Sequence, residues 1–204
     1  MKRTLLILTI FFCLTASAQD TPNARQAKRV FNTAWNHIYG QEGVKFNYKI
    51  DILHVYKEEG YSCNKGEKSV SEHKNTIIYD NGTLKHIVRT NKKIVELHDP
   101  KVNKKDEKLQ MFKFEPDSYT YSIAKADDGM LLVTLVAKPK TNVKMKRIEA
   151  LLTPGSYYPR RLRIKVSIFW ATITFANFQA GGIDDQLFVF PKEKYKDYKI
   201  IDER

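Results

Sequence analysis

Val44-Lys45-Phe46-Asn47-Tyr48-Lys49-Ile50-Asp51-Ile52 alternates apolar and polar side chains along its length. A period of two places one set on a core and the other in water, so this segment reads as a half-buried β-strand. Further strand-like segments follow it. Gly60 separates it from a second one around Tyr61–Cys63. Thr76–Tyr79 and Thr83–Arg89 flank Asp80-Asn81-Gly82, the best hairpin signal in the chain. Lys93–His98 comes next. Ser118–Lys125 and Met130–Ala137 flank Asp127-Asp128-Gly129, and Lys144–Leu152 and Arg161–Ile168 flank Pro154-Gly155. Trp170–Phe178 and Leu187–Phe190, separated by Gly181-Gly182, complete the set. Residues 99–117, charged and bounded by Pro100 and Pro116, are compatible with a loop holding a short helix or strand.

One helix precedes the strands. Thr21 suits the N-cap and Pro22 the first helical position. Ala24, Ala27, Phe31, Ala34, Trp35 and Ile38 recur at three- and four-residue spacing and share one face, and Gly40 ends the segment. About ten strands joined by tight turns favour an antiparallel meander that curls to hide its apolar face. The expected fold is mainly β (α+β): an unclosed antiparallel barrel of about 10–11 strands with the helix across its mouth.

The chain opens with Met1-Lys2-Arg3, an apolar stretch over 4–15 and Ala16-Ser17-Ala18, the pattern of a cleaved secretory signal. The expected organisation is a signal peptide over 1–18 and one domain over 19–204. Cys13 falls in the leader, which leaves Cys63 alone, so no internal disulfide is expected. The net charge of +12 favours anionic surfaces or acidic partners. The export signal argues against nucleic acid.

Motifs for catalysis are absent. His37, His54, His73, His86 and His98 are scattered, without metal-ligand spacing. There is no nucleophile elbow, P-loop or dinucleotide fingerprint. Asp127-Asp128 and Asp184-Asp185 sit beside glycines and read as turn residues. No enzyme activity, cofactor or metal is expected. The abundant aromatics recur at strand alternation, and a curled sheet wider than one helix can fill leaves room for a ligand cavity.

The chain ends Phe188-Val-Phe-Pro-Lys-Glu-Lys-Tyr-Lys-Asp-Tyr-Lys-Ile-Ile-Asp-Glu-Arg204. With the opening helix, the Asp80-Asn81-Gly82 hairpin and the Pro154…Pro159-x-x-Leu-x-Ile segment, this ending resembles the LolA family of periplasmic lipoprotein carriers. The resemblance implies an unclosed barrel with a helical lid and a cavity that shields lipoprotein acyl chains, or those of another lipid. It also implies a periplasmic monomer that takes its cargo from an inner-membrane release complex and delivers it to an outer-membrane acceptor. The expected cavity wall is Phe31, Trp35 and Ile38 of the helix, facing Phe46, Tyr48, Tyr79, Tyr121, Ile164, Phe175 and Phe188. Family members carry a Lys-Arg-Pro segment whose arginine latches the lid; Asn64-Lys65-Gly66-Glu67-Lys68 stands there instead. The latch is then absent, moved to Lys65 or Lys68, or supplied from elsewhere, such as Arg89. Two alternatives remain: a binder of another amphiphile, and a non-enzymatic adaptor with a basic face.

Overall fold

The computed structural model describes residues 21–100 and 114–204. The signal segment and most of the uncertain 99–117 region lie outside the described residues. A helix α1 (Pro22–Tyr39) is followed by β1 (Val44–Ile52), β2 (Tyr56–Lys65), β3 (Lys68–His73), β4 (Thr76–Asp80), β5 (Lys85–Arg89) and β6 (Ile94–His98). Then come β7 (Tyr119–Lys125), β8 (Leu131–Ala137), β9 (Met145–Leu152), β10 (Pro159–Val166), β11 (Phe169–Ala180) and β12 (Lys199–Asp202). All belong to one sheet in the order β12-β6-β5-β4-β3-β2-β1-β11-β10-β9-β8-β7. Its end strands β7 and β12 do not pair with each other, so the sheet is unclosed.

The helix starts and stops where its sequence signals stand. Thr21 Oγ1 accepts from the Ala24 amide at 3.1 Å, and the Gly40 amide closes the last turn on the Asn36 carbonyl at 2.7 Å. Asp80-Asn81-Gly82 forms the β4–β5 turn: Asp80 Oδ1 accepts from the Gly82 amide, and Asn81 Oδ1 from the Thr83 and Leu84 amides.

Four expectations are corrected. Gly60 does not break a strand but lies inside β2; the chain reverses earlier, at Leu53-His54-Val55. Lys68–His73 forms a strand that its single apolar residue, Val70, did not announce. Arg161–Ile168 overruns, since β10 begins at Pro159, ends at Val166, and leaves Ile168 in the turn. Leu187–Phe190 is not a strand. Asp184 caps a 3-10 turn over Asp185–Phe188, a second spans Lys192–Tyr195, and β12 then pairs parallel with β6.

The pairing register shows which residues share a face. Phe46, Tyr48 and Ile50 of β1 stand with Ile173 and Phe175 of β11, Leu162 and Ile164 of β10, Ile148 and Ala150 of β9, Val133 and Leu135 of β8, and Tyr121 of β7. This inner face is apolar over β7–β11, and α1 packs on it through Ala27, Val30, Phe31 and Ala34. On the other half of the sheet the polarity inverts. There the inner face mixes Ser69, Ser71, Thr76, Arg89 and Glu96 with Ile78, Ile87 and Ile94, while Cys63, Val70, Ile77, Tyr79, Val88 and Val95 face outward. That outward set is covered by the C-terminal segment through Ile183, Phe188 and Tyr195. One sheet therefore carries two cores on opposite faces, each roofed by one end of the chain.

Candidate functional site

Between α1 and the inner face lies a cavity of about 260 Å³. From the helix come Phe31, Ala34, Trp35, Ile38 and Tyr39; from the sheet come Phe46, Tyr48, Ile50, Ser62, Ala150, Leu152, Pro159, Leu162, Ile173 and Phe175. The polar side-chain atoms of this wall are hydroxyls of Ser62, Tyr39 and Tyr48 and the indole nitrogen of Trp35, so the site is built to hold an apolar body. Aromatic contacts stiffen it: Phe46 lies edge-on to Phe175 at 5.3 Å, and Phe31 and Trp35 meet Phe114 at 5.3 and 4.8 Å.

Tyr48 marks one border. Its hydroxyl donates to Glu58 Oε1 at 3.4 Å, and Glu58 also accepts from Tyr56. Burial, reinforced by the Glu58 carboxylate, pushes the Tyr48 phenol up to about 12. Desolvation by the neighbouring wall also raises Tyr39, although that residue is 66% exposed. Both phenols stay neutral at physiological pH and keep the wall uncharged.

Of the expected wall residues, the structure brings Phe31, Trp35, Ile38, Phe46, Tyr48 and Phe175 to the cavity. Tyr121 and Ile164 point to the same inner face but lie in the packed core beside it, where the Tyr121 hydroxyl donates to the Pro116 carbonyl at 2.9 Å. Tyr79 and Phe188 lie on the outer face. Tyr79 pairs with Val70, which pairs with Cys63, and that row faces the C-terminal segment. The wall residues not anticipated are mostly aliphatic ones of β9–β11, whose alternation was visible but whose facing side was not.

Contacts other than an arginine latch seat α1. The Asn23 amide side chain both donates to the Ile123 carbonyl at 2.8 Å and accepts from its amide at 3.0 Å, completing the outward backbone of strand β7. Lys28 pairs with Asp117 at 3.0 Å, and a His37 ring nitrogen meets the Ser156 carbonyl at 3.1 Å. Lys65 and Lys68 are committed elsewhere, both to Asp185 and the first also to the Ile183 carbonyl. Arg89 holds Glu96 through Nε and Nη2 and donates to Thr76. None of these three reaches the helix.

Among the described residues, no cluster of His, Cys, Asp or Glu could hold a metal ion. The one free cysteine among them, Cys63, is buried, and burial pushes its thiol up. A larger groove of about 700 Å³ crosses the outer side of β1–β3, but it is lined by mixed charges, including the Lys49–Glu59 pair at 3.1 Å.

No protein-family model matches the chain, and comparison with curated proteins finds no match. Solved structures are similar to it. An uncharacterized conserved protein from Thermus thermophilus aligns over 87% of this chain and 99% of its own, at 7% identity and a TM-score of 0.52. A LolA superfamily protein from Nitrosomonas europaea aligns over 80% of this chain and 97% of its own, at 8% identity and a TM-score of 0.32. The lipoprotein LppX from Mycobacterium tuberculosis aligns over 79% and 98%, at 8% identity and 0.45. The first is a likeness of fold, and all three are too remote in sequence to carry a function.

Proposed function

We propose that the protein binds the acyl chains of a lipid or lipoprotein in the cavity under α1 and carries them through water. The observation that carries this reading is the apolar lining of the space between α1 and the sheet, whose wall offers hydroxyls and one indole nitrogen but no charge. Each acyl methylene buried there contributes about 0.8 kcal/mol. A chain longer than the resting cavity requires α1 to move outward. The helix meets the sheet through one apolar stripe and a few polar contacts, so it forms the movable wall.

The finer reading is that of a periplasmic carrier taking lipoproteins from an inner-membrane release complex to an outer-membrane acceptor. It rests on the resemblance of the Phe188–Arg204 ending and on the leader pattern. Among the described residues no helix is long and apolar enough to cross a membrane. The test is titration of residues 19–204 with a fluorescent fatty-acyl probe, followed by competition with a triacylated lipopeptide and with the free fatty acid. Saturable uptake supports the acyl reading, and its absence overturns it. Displacement at lower concentration by the lipopeptide supports the lipoprotein reading; equal or weaker displacement favours a simpler lipid.

A further inference from the structure

The strands alternate in direction, so their connections fall on two rims, and the rims differ in charge. One rim carries Leu53-His54-Val55 (β1–β2), Lys74-Asn75 (β3–β4), Thr90-Asn91-Lys92-Lys93 (β5–β6), 138–144 (β8–β9) and Ser167-Ile168 (β10–β11). These connections hold Lys74, Lys92, Lys93, Lys138, Lys140 and Lys144 and no Asp or Glu, while the segments entering β7 and β12 on the same rim add Glu115, Asp117, Lys196 and Asp197. The opposite rim carries the β2–β3, β4–β5, β7–β8 and β9–β10 turns and the segments flanking β1 and β11. These turns and segments hold Glu42, Glu67, Asp127, Asp128 and Asp184 and no Lys or Arg, and the end of β12 adds Glu203 and Arg204.

Four exposed apolar side chains also stand on the basic rim. Val55 is 89% exposed, Ile168 75%, Leu53 50% and Phe169 48%. They belong to two hairpin tips side by side, because β2, β1, β11 and β10 are neighbours with ~4.8 Å between strands. The β1–β2 tip is held in an unfavourable backbone. Leu53 and His54 both have positive φ (55° and 59°), where turns of this kind favour Asn or Gly. Asp51 braces it, accepting from the His54 amide at 2.8 Å and lying 2.9 Å from His54 Nδ1. The structure thus keeps two large aliphatic side chains projecting into water at a strained turn.

We propose that this rim is a docking surface for anionic phospholipid bilayers, with the two tips entering the headgroup region and the flanking lysines resting on phosphate. Apolar residues ringed by cations match an interface that is greasy below and negative above. Several acids near the tips are paired: Glu59 with Lys49, Glu58 with Tyr48 and Tyr56, Asp51 with His54, and Asp117 with Lys28. The acidic rim then faces away from the membrane. This inference is separate from acyl binding, since none of the four tip residues lines the cavity.

The test is flotation of the 19–204 protein with phosphatidylcholine vesicles and with phosphatidylethanolamine–phosphatidylglycerol vesicles, at low and high salt. The expected result is flotation with the anionic vesicles only, weakened by salt. Val55→Asp with Ile168→Asp is expected to lower partitioning by roughly tenfold or more. Lys74→Glu with Lys140→Glu and Lys144→Glu is expected to lower it by roughly fivefold per lysine. Asp127→Asn with Asp128→Asn, on the other rim, is expected to change nothing. Acyl-probe uptake in vesicle-free buffer reads folding of each variant and tests the cavity independently. Wild type that stays unbound, or tip variants that float as well as wild type, would overturn the proposal and leave the tips as a protein contact.

Discussion

The Tyr48 ring lies over Gly60: a Cβ at position 60 would stand 2.7 Å from the Tyr48 hydroxyl oxygen and closer still to the Glu72 carbonyl. Gly60 is therefore no strand breaker but the site where the sheet thins to admit a cavity-wall tyrosine. Gly60→Ala is expected to destabilise the fold by about 1–3 kcal/mol through overpacking. Urea unfolding checks this, and acyl affinity should fall with it, because Tyr48 has to move.

Ile38→Trp places an indole in the cavity from the helix side. Ile38 is only partly buried, so the variant should fold. Probe affinity is expected to drop at least tenfold, about 1.4 kcal/mol. An unchanged affinity in a folded variant would show that the acyl chain sits elsewhere.

Asn23→Ala with His37→Ala removes the side-chain contacts to Ile123 and Ser156 near the two ends of α1. Each exposed contact is worth about 1 kcal/mol at most. The expected outcome is a small loss of stability with faster hydrogen exchange in α1 and faster probe uptake. Stopped-flow binding separates a looser helix from a damaged cavity, since only the latter lowers equilibrium affinity.

Phe188→Ala probes the outer core. Phe188 is fully buried against Cys63, Val70 and Ile183, and its truncation is expected to cost about 3–5 kcal/mol. If the two cores are distinct in role, the variant binds the probe normally under conditions where it remains folded.

Stability should fall at both pH extremes for nameable reasons. The Asp185 carboxyl is held below its usual range by its hydrogen bond to Lys68 and by the charge of Lys65. A depressed pKa means stabilisation present above the unfolded value and lost as pH falls through the folded one, so Asp185→Asn should flatten part of the decline below about pH 4. Burial raises the phenols of Tyr48, Tyr61, Tyr79 and Tyr121. Here the unfolded chain ionises first, so stability is intact below about pH 10 and declines above it. Tyr48→Phe should soften that decline in thermal melts across the alkaline range.

Much of this fold was legible in the residues. The helix caps, the alternation of β1 and the Asp80-Asn81-Gly82 turn are local signals, and local geometry follows them. What alternation cannot say is which side of the sheet a row faces. Tyr79 and Phe46 sit in equally regular patterns, yet they point to opposite faces, because the core changes sides between β1 and β3. The β1–β2 turn was hidden for a different reason: Leu53-His54-Val55 contains none of the residues that mark turns, so Gly60 drew the boundary instead. Phe188-Val-Phe190 has a strand's pattern but lies between the Asp184 cap and Pro191, which favour a 3-10 turn.

The most direct test is native mass spectrometry of the protein isolated from its own cells without detergent, with organic extraction of whatever accompanies it. A mass increment that extraction identifies as an acylated molecule, and that Ile38→Trp abolishes, is the predicted result. A clean unliganded mass from protein that also takes up no fluorescent acyl probe would contradict the account.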